Sequence, residues 1–187
     1  MQGKANVEKA GVEAGLAHLN SPFVAMVYVA TDKYADSALE AVTALTAGKR
    51  GVYITINRPC AKLDEVFREN NIDTSKIIFI DAITQIAMPN VKSGNSYVYI
   101  KHPSDLTNMY IRLLEALKKI DGKKFLVVDS ISTLMVYNSP ETVLRFAHAL
   151  ASKLPAQGVD VVYIALLDEK NASVESIAGM CDKVLRA

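Results

Sequence analysis

An aspartate stands where α/β proteins commonly bind ligands. Residues 125–130 read Phe-Leu-Val-Val-Asp-Ser, which predicts a buried strand that ends at Asp129. In open parallel sheets, ligands bind beyond the carboxyl ends of the strands, so Asp129 and Ser130 are expected at the ligand-binding edge. A carboxylate at this place can help to hold a Mg²⁺ ion. Any strand that runs into a turn can end in aspartate, so the pattern alone is weak.

A nucleotide site would also need a phosphate-binding loop after the first strand. Such a loop, G-x-x-x-x-G-K-[ST], wraps phosphates with backbone N–H groups and places a lysine between them. Residues 30–37 read Ala-Thr-Asp-Lys-Tyr-Ala-Asp-Ser, so alanines take the glycine places, Asp36 takes the lysine place and only Ser37 matches. Aspartate repels a triphosphate, and a Cβ obstructs close backbone approach. The chain has nine glycines in 187 residues and none between Gly15 and Gly48, which localises the loss to this turn.

Two cations near this turn could still meet a phosphate. Lys33 would come close if the alignment slipped by one residue, but it precedes the predicted helix, where a solvated loop lysine is the simpler interpretation. Arg58 follows the second predicted strand and could contact a phosphate or pair with Asp36. We favour the ion pair, because it would neutralise the negative charge of Asp36. The candidate nucleotide site thus consists of Lys33, Ser37, Arg58 and Ser130, with Asp129 as the metal ligand.

Other reactive side chains do not form a familiar catalytic or metal-binding pattern. Ser130 lacks the G-x-S-x-G surroundings of a hydrolase nucleophile. His102 and His148 lie beside or within predicted helices, where packing or surface roles are the simpler interpretation. Cys60 and Cys181 are far apart in the chain and match neither a disulfide framework nor a zinc motif.

Alternating strands and helices must position these residues. Strands are predicted at 23–29, 51–56, 76–80, 125–129, 159–166 and 183–185, with 97–100 as a further edge strand. Apolar residues at helical spacing predict helices around 38–45, 63–67, 106–120, 143–154 and 174–181. The starts of the last three are indicated by Ser104, by Pro140-Glu141 and by Ser173. The alternation predicts an α/β fold of three layers, with a mainly parallel central sheet and helices on both faces.

The chain as a whole is expected to form one domain over residues 1–187, with an N-terminal helix within 1–20 and a surface loop at 82–96. Its 21 basic and 20 acidic residues leave a formal charge of +1, so no nucleic-acid partner is expected. The longest strongly apolar run, 23–30, is far shorter than a membrane helix. The N-terminus does not resemble a signal peptide, so a cytoplasmic location away from membranes is expected.

Several segments resemble the archaeal and bacterial KaiC-like branch of the RecA-type ATPases. The matching text lies at residues 51–56, 124–134, 139–149, 158–164 and 181–185. The stretch from Asp129 to Phe146 is its most specific part, and the resemblance covers about residues 20–187. It implies a RecA-like P-loop NTPase fold, and a family habit of ring assembly with ATP bound between subunits.

Three departures from the family pattern argue against activity. The phosphate loop is lost. The second strand ends in Asn57-Arg58-Pro59, where active relatives usually carry acidic residues that activate the attacking water, and arginine cannot act as a base. Relatives usually continue beyond the point that corresponds to Ala187 into strands that contribute subunit contacts, so ring assembly is not carried over.

These features predict a pseudo-ATPase, a non-catalytic domain that acts through protein–protein interaction in regulation or signalling. Its partner would be another protein or a second copy, and no cofactor is expected. The alternative is an unconventional ATP-binding protein or weak ATPase that uses Asp129 and Ser37 with ATP and Mg²⁺. A small-ligand sensor at the same edge fits the sequence as well. If Tyr34 and Asp36 fill the space beside Asp129, the structure disfavours nucleotide binding.

Overall fold

Seven runs rich in β-branched and aromatic residues form parallel strands, because helices cover both faces of the sheet and favour apolar residues at every position. The structure is a computed structural model that describes residues 11–167 and 171–187. The strands are β1 (Val24–Val29), β2 (Arg50–Thr55), β3 (Ile77–Asp81), β4 (Tyr97–Tyr99), β5 (Lys124–Asp129), β6 (Val159–Leu166) and β7 (Lys183–Arg186). Their order in the sheet is β4-β3-β2-β5-β6-β1-β7, and every neighbouring pair is parallel.

Helices follow most of the strands. They are α1 (Val12–Ala17), α2 (Tyr34–Thr46), α3 (Cys60–Glu69), α4 (Thr84–Ala87), α5 (Leu106–Lys118), α6 (Ile131–Tyr137), α7 (Pro140–Lys153) and α8 (Ala172–Ala178). Short 3-10 helices span Thr31–Lys33, Thr74–Lys76 and Pro155–Gln157. None of the helices in the described ranges has the length and apolar character needed to cross a bilayer.

Two apolar clusters hold the three layers together. Alternate residues of β5 enter different clusters: Leu126 and Val128 pack with α5, α6, α7 and α8, whereas Phe125 and Val127 pack with α1, α2 and α3. Successive strand side chains point to opposite faces, so one strand contributes to both clusters. The predicted α/β fold, with a central parallel sheet between two helical layers, is confirmed.

Most predicted elements lie within one or two residues of the observed ones, but two predicted helix starts are wrong. The side chain of Asp105, not Ser104, caps α5, with 3.1 Å from its Oδ1 to the amide nitrogen of Asn108. Asn171, not Ser173, caps α8 in the same way. Serine, aspartate and asparagine are comparable caps, so residue preference cannot separate neighbours. The start of α7 at Pro140-Glu141 is confirmed, and the side chain of Ser139 caps it.

Two further segments differ from the predictions. Residues 82–96, predicted as a surface loop, contain the one-turn helix α4. The helix α6 directly after Asp129 was not predicted, because its seven residues are too few to show a clear period. Of the N-terminal helix predicted within residues 1–20, α1 is observed, and residues 1–10 lie outside the described residues.

The register of the sheet brings several polar residues to one edge. Asp81 on β3 lies beside Thr55 on β2, and Thr55 lies beside Asp129 on β5. These three residues end their strands. The loops that follow β1, β2 and β5 therefore leave the sheet at the same edge, and they carry the candidate site.

Candidate functional site

The carboxylate of Asp129 is bonded to two tyrosines from neighbouring elements. Asp129 ends β5 in the middle of the sheet and is only 2% exposed. Tyr34, the first residue of α2, donates its phenol hydrogen to Oδ1, and Tyr53 on β2 donates to Oδ2. Both carboxylate oxygens thus have a partner within the protein. The two phenols therefore occupy the carboxylate oxygens that would otherwise bind a metal ion.

Asn57 connects this hydrogen-bonded cluster to the helix α6. Its Nδ2 donates to the phenol oxygen of Tyr34, and its Oδ1 accepts from the hydroxyl of Thr133 on α6. Ser130 is the N-cap of α6, with 3.2 Å between its Oγ and the amide nitrogen of Thr133. The polar network therefore ties α2, the end of β2 and α6 around Asp129.

The backbone after β2 is held so that Asn57 faces this network. The hydroxyl of Thr55 donates to the carbonyl oxygen of Arg58 at 2.6 Å and accepts from the Arg58 amide at 3.3 Å. The amide of Ile56 donates to the carbonyl of Asp129 at 2.8 Å, which joins the ends of β2 and β5. This turn fixes the Asn57 side chain beside Tyr34.

Asp81 forms a second, purely structural centre one strand away. It is fully buried and accepts from the amides of Cys60, Ile83 and Thr84 at 2.7, 2.9 and 2.8 Å. The hydroxyl of Thr84 adds a bond of 2.6 Å. Asp81 thereby anchors the starts of α3 and α4. Within 11–167 and 171–187, no group of three or more histidine, cysteine or acidic side chains is arranged to hold a metal ion.

The space beside Asp129 is too small for a ligand. The cavity between Tyr34, Arg58 and Asp129 measures about 10 Å³. Ligand pockets usually measure about 300–1,000 Å³, and a cavity of this size holds one water at most. Together with the two phenol partners, this geometry does not fit a Mg²⁺–nucleotide. Tyr34 fills the position as the sequence allowed, whereas Asp36 is exposed and takes no part.

Burial controls the protonation of the central carboxyl. It raises the pKa of Asp129 to about 7, because an ion is poorly solvated inside the sheet. The two phenol donors oppose this shift, since they bond better to the ionised form. Burial also raises the pKa of Tyr53, so its phenol stays protonated and acts as a donor. Asp129 is therefore a carboxyl group that changes charge near neutral pH, with the protonated phenol of Tyr53 beside it.

The predicted site residues are only partly brought together. Asp129 and Ser130 lie side by side in the buried network, and Arg58 borders the small cavity. Ser37 is buried within α2, and Lys33 is exposed on the 3-10 turn before it. The predicted pair between Arg58 and Asp36 does not form. Both side chains are exposed, where an ion pair is worth at most about 1 kcal/mol and does not fix a geometry.

The sequence reasoning missed Tyr53 and Thr133 as partners in the site. Tyr53 is fully buried, and a buried phenol needs a hydrogen-bond partner. A tyrosine inside an apolar strand was therefore a usable signal, but it does not say which acceptor lies opposite. Thr133 gave no signal, because the helix that carries it was not predicted.

Comparison with solved structures identifies the fold. A KaiC-like protein from the hyperthermophilic archaeon Pyrococcus horikoshii OT3 superposes with a TM-score of 0.64 at 15% sequence identity, over 90% of this chain and 72% of that chain. At this identity the likeness shows the fold alone, which is KaiC/RecA-like.

A family assignment follows from the sequence. The family described as "Family of unknown function (DUF7504)" matches residues 26–187, and the chain belongs to it. No curated protein matches the chain. The family assignment therefore brings no known activity with it.

Proposed function

We propose that this chain is a non-catalytic KaiC/RecA-like domain that works by binding a protein partner, in regulation or signalling. The observation that carries the proposal is the double phenol contact of Asp129. An active site of this fold would need that carboxylate open to a metal and a phosphate cradle after β1. Here Tyr34 and Tyr53 take both oxygens, and a 3-10 turn without glycine stands in place of the cradle.

The same edge of the sheet offers apolar surface to a partner. Four of the five exposed large hydrophobic side chains among the described residues follow the carboxyl ends of β3, β5 and β6: Ile86, Met88, Val136 and Leu167. Val136 is 76% exposed and Met88 is 60% exposed. Exposed apolar side chains around a closed site support contact with a protein better than contact with a small polar ligand.

The first test measures nucleotide binding. Thermal unfolding of the full chain with and without Mg-ATP is expected to give the same midpoint. A ligand at about 100 times its dissociation constant would add about 2.7 kcal/mol, which a melting curve resolves easily. A clear stabilisation by Mg-ATP that Asp129→Ala abolishes would establish the alternative, an unconventional ATP-binding protein or weak ATPase. The exposed Arg58 beside Asp129 is the feature that favours that alternative.

The second test measures the interaction itself. Partners bound by the full chain are compared with those bound by Met88→Asp and Val136→Asp, and self-association is followed by light scattering over a range of concentrations. We expect one specific complex, or a concentration-dependent dimer, that both variants lose. Ile111→Asp on α5 is the matched control, because Ile111 is 48% exposed but does not lie on this edge. Equal binding by all variants would refute the assignment of this edge.

A further inference from the structure

A separate cavity of about 550 Å³ lies beside the edge strand β4. Its size falls within the range of small-molecule sites, about 300–1,000 Å³. The end of α3 contributes Asp64 and Arg68, and the segment before β3 contributes residues 72–75. Phe79 on β3 and Tyr97 on β4 complete the lining, with Ser96 at the rim. The cavity does not include any residue of the Asp129 network.

A buried carboxylate fixes the guanidinium of Arg68 at this cavity. The side chain of Asp64 is 9% exposed and accepts from Arg68 Nε at 3.0 Å and from the Tyr97 phenol. Arg68 Nε also lies 3.0 Å from the hydroxyl oxygen of Thr74. Burial disfavours the ionised form of Asp64, but hydrogen bonds from Tyr97, Thr74 and Arg68 outweigh it and hold its pKa below the usual value. Asp64 therefore stays charged and orients Arg68.

The other end of the guanidinium is available to a ligand. The Arg68 side chain is 67% exposed, and its Nη atoms form no hydrogen bond with any residue in the described ranges. A second guanidinium contacts a lining residue from outside the cavity, since Arg50 Nη2 donates to the carbonyl oxygen of Ser75 at 3.1 Å. The two free donors of an oriented guanidinium match the two oxygens of a carboxylate.

The rest of the lining mixes polar and apolar groups. Asp73, whose carboxylate accepts from the amide and the hydroxyl of Ser75, lies beside Ile72, Phe79 and Tyr97. The rings of Phe79 and Tyr97 pack edge to face with 5.9 Å between their centroids. Ile72 and Phe79 are buried below the rim. A ligand whose charge meets Arg68 can therefore rest an apolar body on the half-buried ring of Tyr97, and a fully hydrated inorganic anion gains nothing from that ring.

We propose that this cavity binds a small organic anion, with its carboxylate on the Nη atoms of Arg68 and a flat apolar body against the ring of Tyr97, which packs on Phe79. The site is independent of the protein-binding edge, since it lies at β4 and on the C-terminal half of α3. Asp64 and Tyr97 are positioning residues, because they act through Arg68.

Amide NMR titration of the full chain with benzoate tests the proposal. Benzoate is expected to give saturable shifts for residues 72–75 and Tyr97 in the millimolar range. Benzylamine, which has the same ring and the opposite charge, is expected to give none there. Inorganic phosphate is expected to bind at least about tenfold more weakly, because it lacks the apolar body. The proposal would be overturned if benzylamine or phosphate bound as tightly as benzoate. It would also be overturned if benzoate gave no saturable shift.

Two variants distinguish a loss of the binding site from a loss of the fold. Arg68→Lys keeps a cation on Asp64 but loses the forked donors, and Ser96→Trp fills the cavity from an exposed rim position. Each is expected to weaken benzoate binding at least about tenfold while the rest of the spectrum stays unchanged. Arg112→Lys is the matched control, because Arg112 forms an exposed ion pair with Glu115 on α5. Unchanged binding in both site variants would refute the assigned cavity.

Discussion

At the scale of single residues, the environment of Asp129 sets the charge of the central edge of the sheet. Desolvation favours the protonated carboxyl, and the phenols of Tyr34 and Tyr53 favour the ionised form. Desolvation raises the pKa of Asp129 to about 7, well above that of an aspartate in an unfolded chain. The folded protein therefore holds one proton, at Asp129, that the unfolded chain releases at lower pH.

This proton makes stability depend on pH. Between about pH 4 and pH 7 the folded state binds more protons at Asp129 than the unfolded chain does, so the free energy of unfolding falls as the pH rises. The slope approaches about 1.4 kcal/mol per pH unit and vanishes above pH 7. Asp129→Asn has no proton to lose, so its unfolding free energy should change less across this window. Urea unfolding from pH 4.5 to pH 8, with about half-unit steps, measures both slopes.

The matched control for this measurement is Asp121→Asn. Asp121 is exposed near the start of β5, so its removal is expected to leave the pH dependence of the wild type in place. If Asp129→Asn and the wild type gave parallel curves, the raised pKa of Asp129 would be wrong.

The sequence identified Asp129 but not its partners, and the reason is physical. A strand that ends in aspartate is a local pattern, and the parallel fold places that end at the ligand edge. Tyr53 reaches Asp129 because β2 and β5 are neighbours in the sheet, although the two residues are 76 positions apart. A single sequence contains no signal for such a pairing. Tyr34 was recognisable as a space-filling residue because it stands in the turn itself.

At the scale of elements, the ends of the helices were harder to predict than their apolar faces. The predicted cap Ser104 bonds instead to Nδ1 of His102, with 2.8 Å between the two side-chain atoms. Asp105 takes the cap position one residue later. The apolar stripe of α5 was predicted, because it repeats over four turns and packs against one face of the sheet.

Alanine substitutions of Asp105 and Ser104 allow the two candidate caps to be compared by their effect on stability. Asp105→Ala removes the acceptor for the Asn108 amide, and an N-cap replaced by alanine costs about 1 kcal/mol. Ser104→Ala removes only an exposed contact, so its effect should stay within about 0.5 kcal/mol. Urea unfolding of both variants at the same pH measures the difference. Equal losses, or a larger loss for Ser104→Ala, would show that the helix begins where the sequence pattern placed it.

The strands were the most predictable elements, and α6 was the least. Six apolar runs and the edge strand β4 follow from residue type alone, because both faces of the sheet are buried. The α6 helix is short, and its start depends on Ser130 accepting from Thr133 directly after β5. That hydrogen bond depends on the turn between β5 and α6, which the sequence alone did not predict. The strand order likewise depends on long-range packing.

At the scale of the whole molecule, a buried ion pair joins three distant parts of the chain at the opposite edge of the sheet. Asp160 near the start of β6 is fully buried and bonds to the ammonium of Lys49, which precedes β2. It also accepts from the hydroxyl of Ser21 at 2.9 Å and the amide of Phe23 at 3.2 Å. The entry of β1, the entry of β2 and the start of β6 are thereby fixed to one carboxylate.

Removal of the cation should test how much the fold depends on this junction. Lys49→Met keeps the apolar stem but leaves Asp160 buried without its counter-charge, which typically costs about 3–5 kcal/mol. We expect the low end of that range, because Ser21 and Phe23 still donate. The double variant Lys49→Met/Asp160→Asn should recover part of the loss, since no uncompensated charge remains. Urea unfolding measures all three proteins.

An exposed pair between a lysine and a carboxylate provides the control. In Lys62–Glu65 the side chains are 62% and 56% exposed, so Lys62→Met is expected to change stability by less than about 1 kcal/mol. If Lys49→Met were as mild as Lys62→Met, Asp160 would be satisfied by its neutral donors alone. The junction would then not depend on the ammonium of Lys49, and the double variant would show no recovery.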